Sequence, residues 1–284
     1  VALLLGLALV ACGATAEPPS PPPAPAAPPA DRPQRIVSLN LCTDQLLMQL
    51  VERERIRAVS YLAHDPASSA LAGQARLIPA TIGVAEEVIA LDPDLVLAGT
   101  FSTRATVSIL RRLGFEVVEF DPEYGFADIA ANIRKLAQAV GEVERGEAMV
   151  RAMEAELARI PPPLPGKPPV YADYNANGYT SGEGALITQV ANVAGFRTLG
   201  QELGIVGTRA VALEQLLVAG PELIDIGEQG DDPALATEIY RHPALRRLFH
   251  EQASIALDRR DIECGSPLTL RAVRKLVAAR QRLG

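Results

Sequence analysis

Residues 86–96 read EEVIALDPDLV, and residues 214–224 read EQLLVAGPELI. Aligned without a gap, each phrase opens on Glu, continues as a short helix, stops at Pro93 or Pro221 and resumes as an apolar strand. Proline lacks the amide that would continue a helix, so its place here marks the helix end. A second echo follows in the same order. Leu110-Arg111-Arg112-Leu113 leads to a strand and Asp121, and Leu245-Arg246-Arg247-Leu248 leads to a strand and Asp258. Two matching units in one order predict a body written twice, as two related lobes. A chain of 284 residues with 48% hydrophobic composition is long and apolar enough to bury two cores.

Around these phrases short apolar strands alternate with amphipathic helices, the pattern of an α/β fold with mainly parallel sheets. RIVSL (35–39) reads as a strand, CTDQLLMQLV (42–51) as a helix capped by Thr43, and IRAVSYL (56–62) as the next strand. DLVLAG, a helix through VSILRRLG, and EVVEFD continue the alternation. The strand runs are nearly all apolar, as expected of strands covered on both faces. Between the halves, GEVERGEAMVRAMEAELARI (141–160) places Val143, Val150, Met153, Leu157 and Ile160 at three-, four- and seven-residue steps. That spacing predicts one long amphipathic helix joining an N-terminal lobe (34–140) to a C-terminal lobe (161–284), with limited hinge motion between them.

The first residues, VALLLGLALVA, are apolar and uncharged and end at Cys12. The stretch is too short to span a bilayer and suits the apolar region of a signal peptide. Leu9-Val10-Ala11-Cys12 resembles the bacterial lipobox, which predicts lipidation at Cys12 and an extracytoplasmic protein held at a membrane. Residues 13–33 are rich in Pro and Ala and read as a semi-rigid spacer. The net charge of -7, with arginines scattered among acids, argues against a nucleic-acid partner.

RIVSLNLCTDQLL, EEVIALDPDLVLAG, the connector, YTSGEGALITQVANVAGFRTLG and EQLLVAGPELIDI together resemble the helical-backbone class of periplasmic binding proteins, from about residue 34 to the C-terminus. The resemblance implies two α/β lobes bridged by one helix, with a ligand cleft between them. It also implies a monomeric, non-catalytic receptor that delivers a ferric siderophore, corrinoid or haem to an ABC permease and its ATPase. In the cobalamin-binding relatives one surface glutamate at the start of each matching helix engages permease arginines, which puts Glu86 and Glu214 in that role. A Glu at a helix start also favours the helix dipole. An exported α/β enzyme or a receptor for a free metal ion are the competing readings. The absence of Trp and the few aromatics tilt the choice of chelate toward iron.

Ligands of open α/β sheets meet the loops at the carboxyl ends of the strands. On that rule the candidate ligand-binding residues are Tyr61, Phe101 and Tyr124 in the first lobe and Tyr174, Asn175, Tyr179 and Arg259 in the second. Tyr61 fits the place of a cleft aromatic in the family. Asn40, Asp44, His64, Asp65, Thr100, Asn177, Glu228, Gln229, Arg260 and Asp261 fall in the same loops. Cys42 and Cys264 also point to the cleft, and the sequence leaves open whether they pair, touch a ligand, ligate a metal or stay free. No resident cofactor or bare-metal site is expected, because His64, His242 and His250 are scattered and form no ligand motif. GYTSGEG (178–184) matches no nucleophile elbow or phosphate loop and reads as a tight turn into a helix.

Overall fold

A computed structural model describes residues 32–163, 165–225, 227, 242–245, 247 and 253–283. Cys12, the spacer up to residue 31, Glu228, Gln229, His250 and half of the second Leu-Arg-Arg-Leu echo lie outside the described residues.

The first sheet comprises β1 (Ile36–Ser38), β2 (Ile56–Ser60), β3 (Ala80–Thr81), β4 (Leu95–Gly99) and β5 (Val117–Phe120). All pairs are parallel, in the order β3-β2-β1-β4-β5. Every residue of β1 and β4 is buried, which explains their unbroken apolar sequence. Helices α1 (Leu41–Leu50), α2 (Ala72–Ala75), α3 (Ala85–Ala90) and α4 (Arg104–Arg112) make the crossovers. The strand order reverses between β1 and β4, so their two carboxyl-end loops part and leave a crevice at the sheet edge.

The cap of α1 is Asn40 rather than Thr43. The Asn40 carboxamide oxygen accepts from the amides of Cys42 and Thr43, whereas the Thr43 hydroxyl donates to the Asn40 carbonyl. The helix therefore starts one residue earlier than its sequence pattern predicts. Asp44, in its first turn, is buried and accepts from the Ser60 amide and hydroxyl, tying α1 to the end of β2.

The second sheet repeats this plan with β6 (Val170–Asp173), β8 (Arg197–Thr198), β10 (Leu223–Asp225) and β11 (Ala253–Ile255), parallel in the order β11-β10-β6-β8. In pairing order, β6, β8, β10 and β11 stand where β1, β2, β4 and β5 stand in the first. The duplicated phrases are α3 leading to β4 and α9 (Leu213–Ala219) leading to β10, at the same place in each sheet. Both helices stop on a left-handed residue before the proline: Asp92 with φ 47 and Gly220 with φ 53. Asp is among the few side chains that tolerate this region, so the two sequences solve one turn in two ways. The glycine-rich 178–184 segment forms a short strand, β7 (Tyr179–Ser181), before it turns toward α7 (Leu186–Val193). β7 pairs antiparallel with β9 (Thr208–Ala210), and α8 (Leu199–Glu202) precedes β9.

Two helices join the lobes. α5 (Phe126–Val140) ends at Gly141 in the left-handed region, and α6 (Val143–Leu157) runs back along it. The connector is thus shorter than the predicted 141–160 span, because Gly141 and Glu142 make the turn. Val150 and Met153 are buried as predicted, whereas Val143 is 54% exposed at the free first turn. A Cβ at Gly146 would lie 2.3 Å from the Ala137 Cβ, so the glycine sets the close crossing of α5 and α6. α10 (Leu270–Leu283) packs against α6 and α7. One apolar cluster runs without a break from Ile36 through Ile133 and Val150 to Leu276, so the lobes share a core.

Candidate ligand cleft

The carboxyl-end loops of the first sheet form one wall of a cavity of about 270 Å³. Asn40 and Cys42 follow β1, Gly99 to Ser102 follow β4, and Phe120 to Glu123 follow β5; Leu186, Ile262 and Glu263 close it from the second lobe. A Cβ at Gly99 would come within 2.9 Å of the Asn40 carboxamide, so the cap of α1 and the β4 loop meet only because residue 99 has no side chain. Phe101 is 77% exposed and presents an apolar ring at the mouth.

A second cavity of about 360 Å³ adjoins the first, and Leu186, Ile262 and Glu263 line both. Its base is built by strand alternation. Val170, Ala172 and Tyr174 point to one face of the second sheet and join its own core. Tyr171, Asp173 and Asn175 point to the other and line the cavity. Asp173 pairs in register with Asp225 on β10, so two buried carboxyls stand side by side. Asp225 accepts from the Tyr171 hydroxyl (2.9 Å) and from the Gly227 and Leu257 amides. Asp173 accepts from the Ser181 amide (3.0 Å). Burial pushes Asp173 up to about 7 against the opposing pull of the Ser181 bonds, and burial likewise raises Asp225. Burial, ahead of the neighbouring Asp225 charge, also holds the Tyr171 phenol well above its ordinary value.

The structure brings Cys42 and Phe101 to the first cavity and Asn175, Tyr179 and Arg259 to the second. Tyr174 is not a cleft residue: it is 1% exposed, and its hydroxyl donates to the Val211 carbonyl on the far side of the sheet. Tyr61 and Tyr124 are exposed on the β2 and β5 loops and line neither cavity. The ring of His64 is tied to the Ile78 carbonyl. Asp173 and Asp225 escaped sequence reasoning, although each is an acid closing an apolar strand, VYAD and LID.

Cys42 and Cys264 form a disulfide. Neither sulfur is a free thiol for a metal or ligand, and the bond links α1 of the first lobe to the segment before α10 in the second. The same segment makes other contacts across the cleft. An Arg260 guanidinium nitrogen donates to the Pro66 carbonyl (3.2 Å), and Gly265 lies against Glu123 and Ile129 so closely that a Cβ would clash. Burial raises the Glu123 carboxyl above its usual range.

Glu86 and Glu214 are exposed in the first turns of α3 and α9. In each case the following residue ties the helix start to the segment that precedes it. The Glu87 carboxylate accepts from the Ile82 amide and Thr81 hydroxyl, and the Gln215 carboxamide accepts from the Ala212 amide. Among the described residues neither Glu86 nor Glu214 has a hydrogen bond or ion pair.

Comparison with known proteins agrees with this architecture. Cobalamin-binding proteins from two strains of Halobacterium salinarum are 25% identical over 205 residues, which are 70% of this chain and 55% of theirs. The chain therefore spans about half the length of these curated relatives. The periplasmic heme-binding protein RhuT from Roseiflexus sp. RS-1, in apo form, superposes with a TM-score of 0.71 at 22% identity, covering 88% of this chain and 98% of that one. The periplasmic vitamin B12 binding protein BtuF of Vibrio cholerae gives 0.65 at 20% identity, with 89% and 98% covered. Two parallel sheets, a helical connector and a cleft at their carboxyl edges are thus a shared fold. The periplasmic binding protein family model matches residues 36–248, and the chain belongs to that family.

Proposed function

We propose that the chain is the extracytoplasmic solute receptor of an ABC importer, capturing a metal chelate (ferric siderophore, corrinoid or haem) for a permease and its ATPase. The observation that carries this reading is the meeting of carboxyl-end loops from both parallel sheets around adjoining cavities. Membership of the family and the named ligands of the relatives, heme and vitamin B12, support it. Phe101, Asn175, Tyr179 and Arg259 would contact the ligand, and Tyr61 and Tyr124 stand on loops of the same sheet edge where a large macrocycle would extend. Cys12 would carry the lipid anchor, with residues 13–33 as the spacer. The body works as a monomer without a nucleic-acid partner.

Docking on the permease falls to Glu86 and Glu214, because each is exposed and, among the described residues, has no hydrogen bond or ion pair. Paired charges on separate lobes fix the orientation of docking. Calorimetric titration with cobalamin, haem and ferric siderophores tests the receptor role, and tight stoichiometric binding without turnover is the expected result. Combining Glu86→Lys with Glu214→Lys should then abolish transport in cells while the affinity for the bound chelate stays the same. Normal transport by the double variant rejects the docking role.

A further inference from the structure

Charge is distributed unevenly along the described lining of the cleft. Asp121, Glu123, Asp173, Asp225 and Glu263 line it against Arg259 alone. Arg259 is itself paired with Glu263, at 3.4 Å. Glu123, Asp173 and Asp225 have uncharged hydrogen-bond partners, and the Asp121 carboxylate has none among the described residues. Asn132 donates to Glu123, Ser181 and Asn175 to Asp173, and Tyr171 with two backbone amides to Asp225. Lys275 lowers Asp225 less than the hydrogen bonds to it do, and its ammonium donates to the Ala256 carbonyl. Nearby Arg260 is bound to Asp258.

A polyanionic guest would bring further negative charge into this slot. Its charge would be buried beside these carboxyls, and the cleft offers it no unpaired described cation in exchange. An uncharged or cationic guest with amide groups meets the opposite situation. Carboxylates accept from its N–H groups, protonated carboxyls and the Ser102, Ser181 and Thr208 hydroxyls donate to its carbonyls, and Phe101, Leu186 and Ile262 cover its apolar body. We propose that the cleft selects its ligand by charge: it takes a metal chelate or macrocycle of zero or positive net charge with amide groups at its edge, and it rejects polyanionic chelates. The proposal rests on the receptor reading above and narrows it.

The test uses the full chain and four probes in low-salt buffer, by calorimetry: cyanocobalamin, which is uncharged; ferrioxamine B, which is cationic; haemin, which carries propionates; and a ferric tris-catecholate, which is trianionic. Cyanocobalamin or ferrioxamine B should bind, with both anionic probes weaker by about tenfold or more. Added salt should narrow that gap, because it screens like-charge repulsion. Asp121→Asn combined with Glu263→Gln should raise the ratio of anionic to uncharged affinity by about tenfold, in a variant shown by its melting curve to be folded. Tighter binding of haemin or the catecholate to the unaltered protein overturns the charge rule and leaves the receptor reading in place. Binding of none of the four overturns the receptor reading and the rule with it.

Discussion

Breaking the link between Cys42 and Cys264 should cost this protein a large part of its stability. The bond closes a sequence separation of 222 residues, nearly the whole folded body. On the chain-entropy account a loop of that length removes about 5 kcal/mol of freedom from the unfolded chain, and measured disulfides deliver about 2–4 kcal/mol. For a chain of this size each kcal/mol moves the melting temperature by about 2–4 °C, so a fall on the order of 10 °C is expected. The assay compares thermal unfolding of the oxidised protein, the same protein with reductant, and the Cys42→Ala/Cys264→Ala variant. Reductant should lower the first to near the third and leave the third unmoved. Hydrogen exchange should also quicken in residues 259–266, which the bond holds to α1 across the cleft. Melting temperatures within about 2 °C across all three samples would refute the argument, since the cross-link would then constrain neither the unfolded chain nor the lobes.

Further outcomes follow from the buried polar groups. Asp173 is held up to about 7, above the ordinary carboxylate value, so the folded state binds more protons than the unfolded state between those limits. Its contribution to stability is therefore favourable at the acid end and is lost as pH rises through about 7. Asp173→Asn should flatten the pH dependence of denaturant midpoints between pH 5 and 8, as read from chemical unfolding; an unchanged slope would show that Asp173 ionises freely. Arg55 and Glu142 form a largely buried pair at 2.6 Å, and Arg55 also holds the Val140 and Pro33 carbonyls. Removing the closer carboxylate with Glu142→Ala should cost about 3 kcal/mol, since the nearly buried guanidinium then keeps only the exposed Glu52 carboxylate, 3.7 Å away, as counter-charge. A loss below about 1 kcal/mol in urea unfolding would contradict that account.

Much of the architecture was legible because it is written locally. An apolar run, a proline stop and a second apolar run at 86–96 and 214–224 are enough to specify helix, turn and strand, and these occupy matching places in the two sheets. The amphipathic spacing of Val150 and Met153 likewise identified the connector, though its ends were blurred by Gly141 and by an exposed Val143. The cap of α1 is not legible in the sequence, because Asn40 and Thr43 both suit a helix start and the difference lies in which oxygen reaches the free amides.

The candidate site was less legible, for a reason set by strand parity and chain distance. The alternation of strands and helices is enough to put loops 61, 101, 124, 174–179 and 259 at carboxyl strand ends, since parallel α/β units place them there. It could not decide which side chains turn into the cleft. Tyr174 and Asn175 are neighbours, yet alternation sends the first into the core and the second to the cavity. Asp173 and Asp225 become partners only through the register of β6 with β10, and Cys42 meets Cys264 only when the two lobes close on a shared core. Periodicity carries information over a few residues; pairing across the chain, and the charge of the cleft it creates, is the work of tertiary packing.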